Sequence, residues 1–210
     1  GSTALTEAAR RAQPEVVKLL LEHGASADAA LRDGSRRTPL YLAAGSDGDE
    51  DPAMEVTRLL IDKGANIDVR VIDWNSTEGW TPLLYAMKKE RWKLARLLVE
   101  RGADVNAQSV AAGQYEEGMG FGLTPLMHAA RSAENPRIVK RLLAAGADPA
   151  ATDDHGWNAL RYAQRREPSK AQQAIVAMLG GKTPAGKDSK QKNSKTAAGS
   201  RSTSKGLGRR

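Results

Sequence analysis

A short string recurs along this chain at a nearly constant distance, and no other feature limits the fold as tightly. Thr38-Pro39-Leu40, Thr81-Pro82-Leu83 and Thr124-Pro125-Leu126 are intact copies; Thr3-Ala4-Leu5 and Asn158-Ala159-Leu160 are degenerate ones. Small residues follow each copy: Ala8-Ala9, Ala43-Ala44, Ala86, Ala129-Ala130 and Ala163. A second string alternates with the first. It reads VVKLLLEHGAS from Val16, VTRLLIDKGAN from Val56, LARLLVERGAD from Leu94 and IVKRLLAAGAD from Ile138. Self-similarity of this kind marks a repeat array.

Each part has a physical meaning. Thr before Pro starts a helix: the hydroxyl caps an orphan backbone N–H, and Pro suits the first helical position, where its missing N–H costs nothing. The alanines let a second helix approach closely. Val16, Leu19 and Leu20 stand at i, i+3 and i+4, which predicts one apolar stripe on the second helix. Gly24, Gly64, Gly102 and Gly146 follow each stripe, where a left-handed C-terminal cap is wanted. Each unit is therefore a helix, a turn, a second helix and a loop. One unit cannot bury its apolar face alone, whereas stacked units share a continuous core.

On these strings the chain resembles the ankyrin-repeat family from Thr3 to about Leu179. The resemblance implies an all-α solenoid of about five helix-turn-helix repeats, with units near 3–37, 38–80, 81–123, 124–157 and 158–179 and with enlarged finger loops. The family repeats every ~33 residues. Here the spacings from Thr3 to Asn158 are 35, 43, 43 and 34. The surplus falls at three places: the segment GSDGDEDPAM between the helices of the second unit, the loop from Gly64 to Thr81, and the longer loop from Gly102 to Thr124. The last two occupy finger positions, and insertions in repeat arrays often map to the binding face.

Catalytic and metal signals are absent from the sequence. There is no cysteine, which excludes disulfides and thiolate metal sites. The three histidines, His23, His128 and His155, lie in different units without ligand spacing. No nucleophile elbow or P-loop is present. Asp47, Asp49 and Asp51 mimic the start of a calcium loop, but Pro52 and Arg58 stand where Gly and Glu would be required. Asn75-Ser76-Thr77 is a sequon in a polar loop. Neither an enzyme, nor a metal, nor a cofactor is expected. No apolar run approaches the ~18 residues of a membrane span.

In ankyrin proteins the residue before the Thr-Pro-Leu string lies at the finger base and faces the partner. By resemblance these are Arg37, Trp80, Leu123 and Trp157 here. The other recurrent contact position holds Glu7, Leu42, Tyr85, His128 and Tyr162. The fingers add Trp74, Tyr115 and Phe121. Aromatic residues anchor interfaces, so one aromatic strip is expected along units two to five, bordered by Lys88, Lys89 and Arg131. Trp92, opening a second helix, reads as core. Basic residues recur after the first helices at Arg10-Arg11, Lys88-Lys89, Arg131 and Arg165-Arg166. They line a stripe that steers an acidic partner, or else they are solvated helix ends complementing the dipole.

The net charge of +7 is uneven. Residues 180–210 hold six Lys, three Arg and one Asp, a net of +8, leaving −1 for the rest. That tail is too polar to bury itself and is expected to be disordered. Its phosphate affinity gives nucleic acid a weak route to the chain. Gly1-Ser2 reads as a cloning scar, with a signal peptide or a trimmed leader as alternative reasons for the cut. The compartment, bacterial periplasm or export against cytoplasm, stays open. The expected function is a non-catalytic binding module, monomeric alone, holding one specific protein partner in the concave groove and fingers. The repeats have a bacterial flavour, which suggests an inhibitor or immunity protein against a toxin. An effector or adaptor acting on host proteins and a nucleic-acid adaptor using the tail are the alternatives.

Overall fold

The computed structural model describes residues 2–33, 35–46, 48–73, 76–109, 122–132 and 134–181, with backbone alone for 72, 73 and 76–78. Among the described residues, ten helices pair into five units. The first helices are α1 (Ala4–Arg10), α3 (Pro39–Ala44), α5 (Pro82–Lys88), α7 (Pro125–Ser132) and α9 (Ala159–Gln164). The second helices are α2 (Pro14–Glu22), α4 (Glu50–Asp62), α6 (Trp92–Glu100), α8 (Pro136–Ala144) and α10 (Lys170–Met178). Each first helix packs on the next first helix and each second helix on the next second helix, giving an inner and an outer row.

The repeated strings set this geometry. Thr38 and Thr81 accept from the backbone N–H three residues on, and Thr124 does the same for Met127 at 3.3 Å. Thr3, with no Pro behind it, forms a capping box with Thr6. Ala9, Ala43, Ala44, Ala86, Ala130 and Ala163 are buried, and their small side chains bring the rows together. Gly24, Gly64, Gly102 and Gly146 have φ between +82° and +90°, the left-handed cap the sequence requires. Carboxylate or amide side chains after the first three of these glycines link one unit to the next. Asp28 accepts from the Asn66 N–H at 2.9 Å, Asp68 from Asp104 at 2.9 Å, and Asn106 from Asp148 at 2.8 Å.

Four details differ from the sequence expectation. The stripe on α2 is rotated: Val17 and Leu21 are buried, while Val16 and Leu19 are exposed, Leu19 by 56 %. A terminal helix has a neighbour on one side only, so part of its apolar face stays open. The second half of the second unit's insert, from Glu50 on, becomes helix, and α4 runs 13 residues against nine in α6. Arg91 holds it from the next unit, donating to Ser46 Oγ at 2.9 Å and to the Gly48 and Asp49 carbonyls. One finger adds two short strands to the helical array. The loop after Gly64 forms a hairpin of β1 (Val71–Asp73) and β2 (Ser76–Trp80), with Val71 opposite Trp80. Finally, Gly180 and Gly181 belong to the array: the Gly181 N–H caps Val176 O at 2.9 Å, and a Cβ there would meet Leu160 at 2.5 Å. The rest of the basic tail, 182–210, lies outside the described residues.

The large loop after Gly102 is closed at its neck. Ser109 N–H donates to Leu123 O at 3.1 Å and Gly122 N–H to Ser109 O at 3.0 Å. Twelve residues are thus inserted while the stack continues on either side. Those twelve, 110–121, include Tyr115 and Phe121 and lie outside the described residues, as do Asp47, Trp74 and Asn75.

Candidate functional site

The inner row and the finger bases gather the expected site residues, but at different depths. Trp80 is 3 % exposed and packs with Tyr41, Val71, Leu84 and Ala107 between hairpin and helices. The hairpin packs it against the core, and the same residue also lines a hollow beside Tyr85. Tyr162 is 4 % exposed, and its hydroxyl donates to the Asp153 carboxylate. That carboxylate also accepts from the His155 and Trp157 N–H groups at 3.0 and 2.7 Å. Asp153, Asp154 and His155 form a compact group, yet both oxygens of Asp153 are engaged in organising the last finger. Tyr162 is therefore part of that anchor.

His128 is 5 % exposed and lies 5.3 Å from the Trp80 ring. Burial, then the nearby charges of Arg131 and Lys88, push its pKa down to about 3. The imidazole is neutral at physiological pH. Its Nε2 has no hydrogen-bond partner among the described residues.

Tyr85 and Trp157 remain half-exposed. Tyr85 stacks on Tyr41 with ring centres 4.6 Å apart and an angle of 6°. Tyr41, not anticipated from the family positions, is the buried half of this pair. The stack passes so close to α3 that a Cβ on Gly45 would lie 1.7 Å from Tyr85 Cε1. Only glycine fits there. Lys89 sits 5.9 Å above the Tyr85 ring and Lys88 4.9 Å above Trp80. Arg161 and Arg165 cover Trp157 at 4.4 and 4.7 Å. Arg37 binds Ser35 and Asp33 within its own finger, at 3.0 and 3.2 Å.

Together Tyr41, Tyr85, Arg10, Arg37, Lys88 and Lys89 line a hollow of about 340 Å³ across α1, α3 and α5. Its electrostatics follow from the sequence of the row. With their C-terminal caps where described, the inner helices carry seven bases (Arg10, Arg11, Lys88, Lys89, Arg131, Arg161, Arg165) and one acid, Glu7. Hydrogen bonds from Arg10 and then Arg11 hold that carboxyl down to about 2, so it stays ionised. Counted the same way, the outer helices carry ten bases and seven acids. The inner row is thus the more positive of the two.

Models of ankyrin repeats, described as "3 copies" and "many copies", match residues 1–70 and 36–109, and residues 116–163. The chain is 28% identical over 169 residues to the mouse B-cell lymphoma 3 protein homolog, a match covering 79% of this chain and 33% of that one. It is 38% identical over 108 residues to Neurogenic locus notch homolog protein 1 of Xenopus laevis (51% and 4%). It is 39% identical over 106 residues to the putative E3 ubiquitin-protein ligase XBAT35 of Arabidopsis thaliana (50% and 21%). The matches span a third or less of these relatives, all of them eukaryotic, and the bacterial flavour of the sequence finds no support among them. The repeat strings, the two helix rows and the family matches agree: this chain belongs to the ankyrin-repeat family.

Proposed function

We propose that the chain is a non-catalytic module that holds one protein partner along the inner row and the fingers of units two to five. The observation that supports this most is the hollow floored by stacked Tyr41 and Tyr85 and edged by four cations. An apolar floor with a charged rim is how specific interfaces are built. The half-exposed Trp157 under two guanidinium groups extends the same surface. Arg37, Lys88, Lys89 and Arg131 form its border, and the finger residues Trp74, Tyr115 and Phe121 are assigned to the same interface. Trp80, His128 and Tyr162 act from beneath by fixing the shape of that surface.

The relatives are animal and plant proteins, so the role favoured is a docking domain, not a toxin inhibitor. The test is affinity for a purified partner after Tyr85→Ala and Trp157→Ala. At least one should lose ~2 kcal/mol of binding, about thirtyfold, the size expected of an interface anchor, with a nearly unchanged melting temperature. If both variants melt earlier and neither binds less tightly, the partner does not dock on these aromatics.

A further inference from the structure

A second, smaller hollow lies deeper in the inner row, between the C-terminal ends of α5, α7 and α9. It measures about 120 Å³, and its lining includes His128, Ser132, Lys88, Arg131, Arg166 and Glu90. Three of these are cations and one is a carboxylate. Arg166 reaches across the row, its Nε donating to the Arg131 carbonyl at 2.6 Å. Two buried polar atoms of the lining, His128 Nε2 and Ser132 Oγ, have no hydrogen-bond partner among the described residues. A buried polar group left without a partner costs on the order of 1–3 kcal/mol. These two atoms and three positive side chains share one lining, and an arrangement of this kind suits an incoming anion.

We propose that this hollow receives a carboxylate side chain of the protein partner held along the inner row. The inference rests on the binding role assigned to that row. A carboxylate accepts from several donors at once, which Ser132 Oγ, the His128 ring and the neighbouring cations can supply. The neutral imidazole carries one N–H, and a carboxylate in the hollow selects the tautomer with the proton on Nε2. It also offsets the repulsion from Arg131 and Lys88 that holds the ring in its neutral form. Positive charge continues along the row in both directions, at Arg10 and Lys89 on one side and Arg161 and Arg165 on the other. That continuity fits an acidic peptide segment better than an isolated small anion. The empty-handed alternative is a hollow filled with water, which needs ~30 Å³ per molecule.

The test is a titration of the full chain, carrying isotope-labelled histidine, tyrosine and tryptophan, at low ionic strength and pH 7.5. The probes are capped hexaglutamate, capped hexaglutamine and inorganic phosphate. Hexaglutamate should shift the His128 ring signals saturably, and hexaglutamine should leave them unmoved. Arg131→Gln and, separately, Arg166→Gln should each weaken the hexaglutamate response about tenfold, while Lys140→Gln on the outer row should not. An unmoved His128 signal, or a response untouched by both arginine changes, overturns the proposal. So does phosphate acting as strongly as the peptide, because the hollow would then be a free-anion site. If hexaglutamate shifts Tyr85 and Trp157 signals but not His128, only this inference fails and the groove remains the binding face. If only outer-row signals move, both fail.

Discussion

The inner and outer helix rows come from the same repeat, yet beyond the Arg10 and Arg11 pairs with Glu7 their cations meet different partners. On the outer row cations meet carboxylates of the array itself. Lys93 reaches Asp51 at 2.9 Å, Arg101 reaches Asp62 at 2.7 Å, and Glu100 holds Arg141 at 2.8 Å and Arg96 at 3.7 Å. A hollow of about 390 Å³, similar in size to the inner-row one, lies there too, beside Trp92, Lys93, Arg96, Arg137 and Arg141. Three of its four cations face those same carboxylates. On the inner row Lys88, Lys89, Arg161 and Arg165 instead lie over aromatic rings. A cation beside a carboxylate has much of its field cancelled, whereas a neutral ring cancels none of it. The two hollows therefore differ in the partners of their cations more than in size.

The largest effect should separate two tryptophans. Trp80→Ala removes a buried indole wedged between hairpin and inner row, and should cost ~3–5 kcal/mol in urea unfolding. Trp92 on the outer row is half-buried against the core, so Trp92→Ala should cost less than half as much. Equal losses would show that the two rows are packed alike.

Acid provides the next test. His128 has a folded pKa of about 3, below its unfolded value near 6.5. The unfolded chain therefore takes up a proton first as pH falls, and stability is full above pH 6.5 and drops below it. Between pH 6.5 and 4.5 the loss from this one group should be about 2–3 kcal/mol. Glu7 and Asp33, held down to about 2, contribute their own losses chiefly at lower pH. Unfolding followed against pH should flatten over that window in His128→Phe. A slope unchanged in the variant would place the titrating group elsewhere.

Gly45→Ala should cost ~1–3 kcal/mol, because the added methyl must displace Tyr85 from its stack or push α3 aside. The Tyr85 ring signals would move in an NMR spectrum while the outer row stays unchanged. The smallest effect belongs to the outer row: Glu100→Gln, although it breaks two ion pairs, should change stability by no more than ~1 kcal/mol, since both are exposed. A larger loss would mean that the outer network carries more of the fold than its exposure suggests.

The architecture was legible because its signals are local. Thr caps, Pro at the first helical position and glycines at the left-handed caps act within a few residues, and their recurrence located every unit. The site was less legible because depth is not local. Trp80 and Tyr85 are five residues apart, and whether either faces solvent depends on a hairpin that folds back over one of them. Tyr41 was missed because it stands one place earlier in its helix than Tyr85 does; only the stacking of neighbouring units brings the two rings together. The fate of the first insert was hidden for a similar reason. The segment was polar and loop-like, but Arg91 from the following unit braces it and α4 gains an extra turn.

The central claim is that the inner row, and not the outer, holds the partner. Site-specific photo-crosslinkers placed singly at Leu42 and Tyr85 on the inner row, and at Leu19 and Lys140 on the outer row, test it directly when the full chain is mixed with its purified partner. The account predicts adducts from positions 42 and 85 that a peptide competitor for the groove removes, and none from 19 or 140. Adducts from the outer positions, with positions 42 and 85 silent, would contradict it.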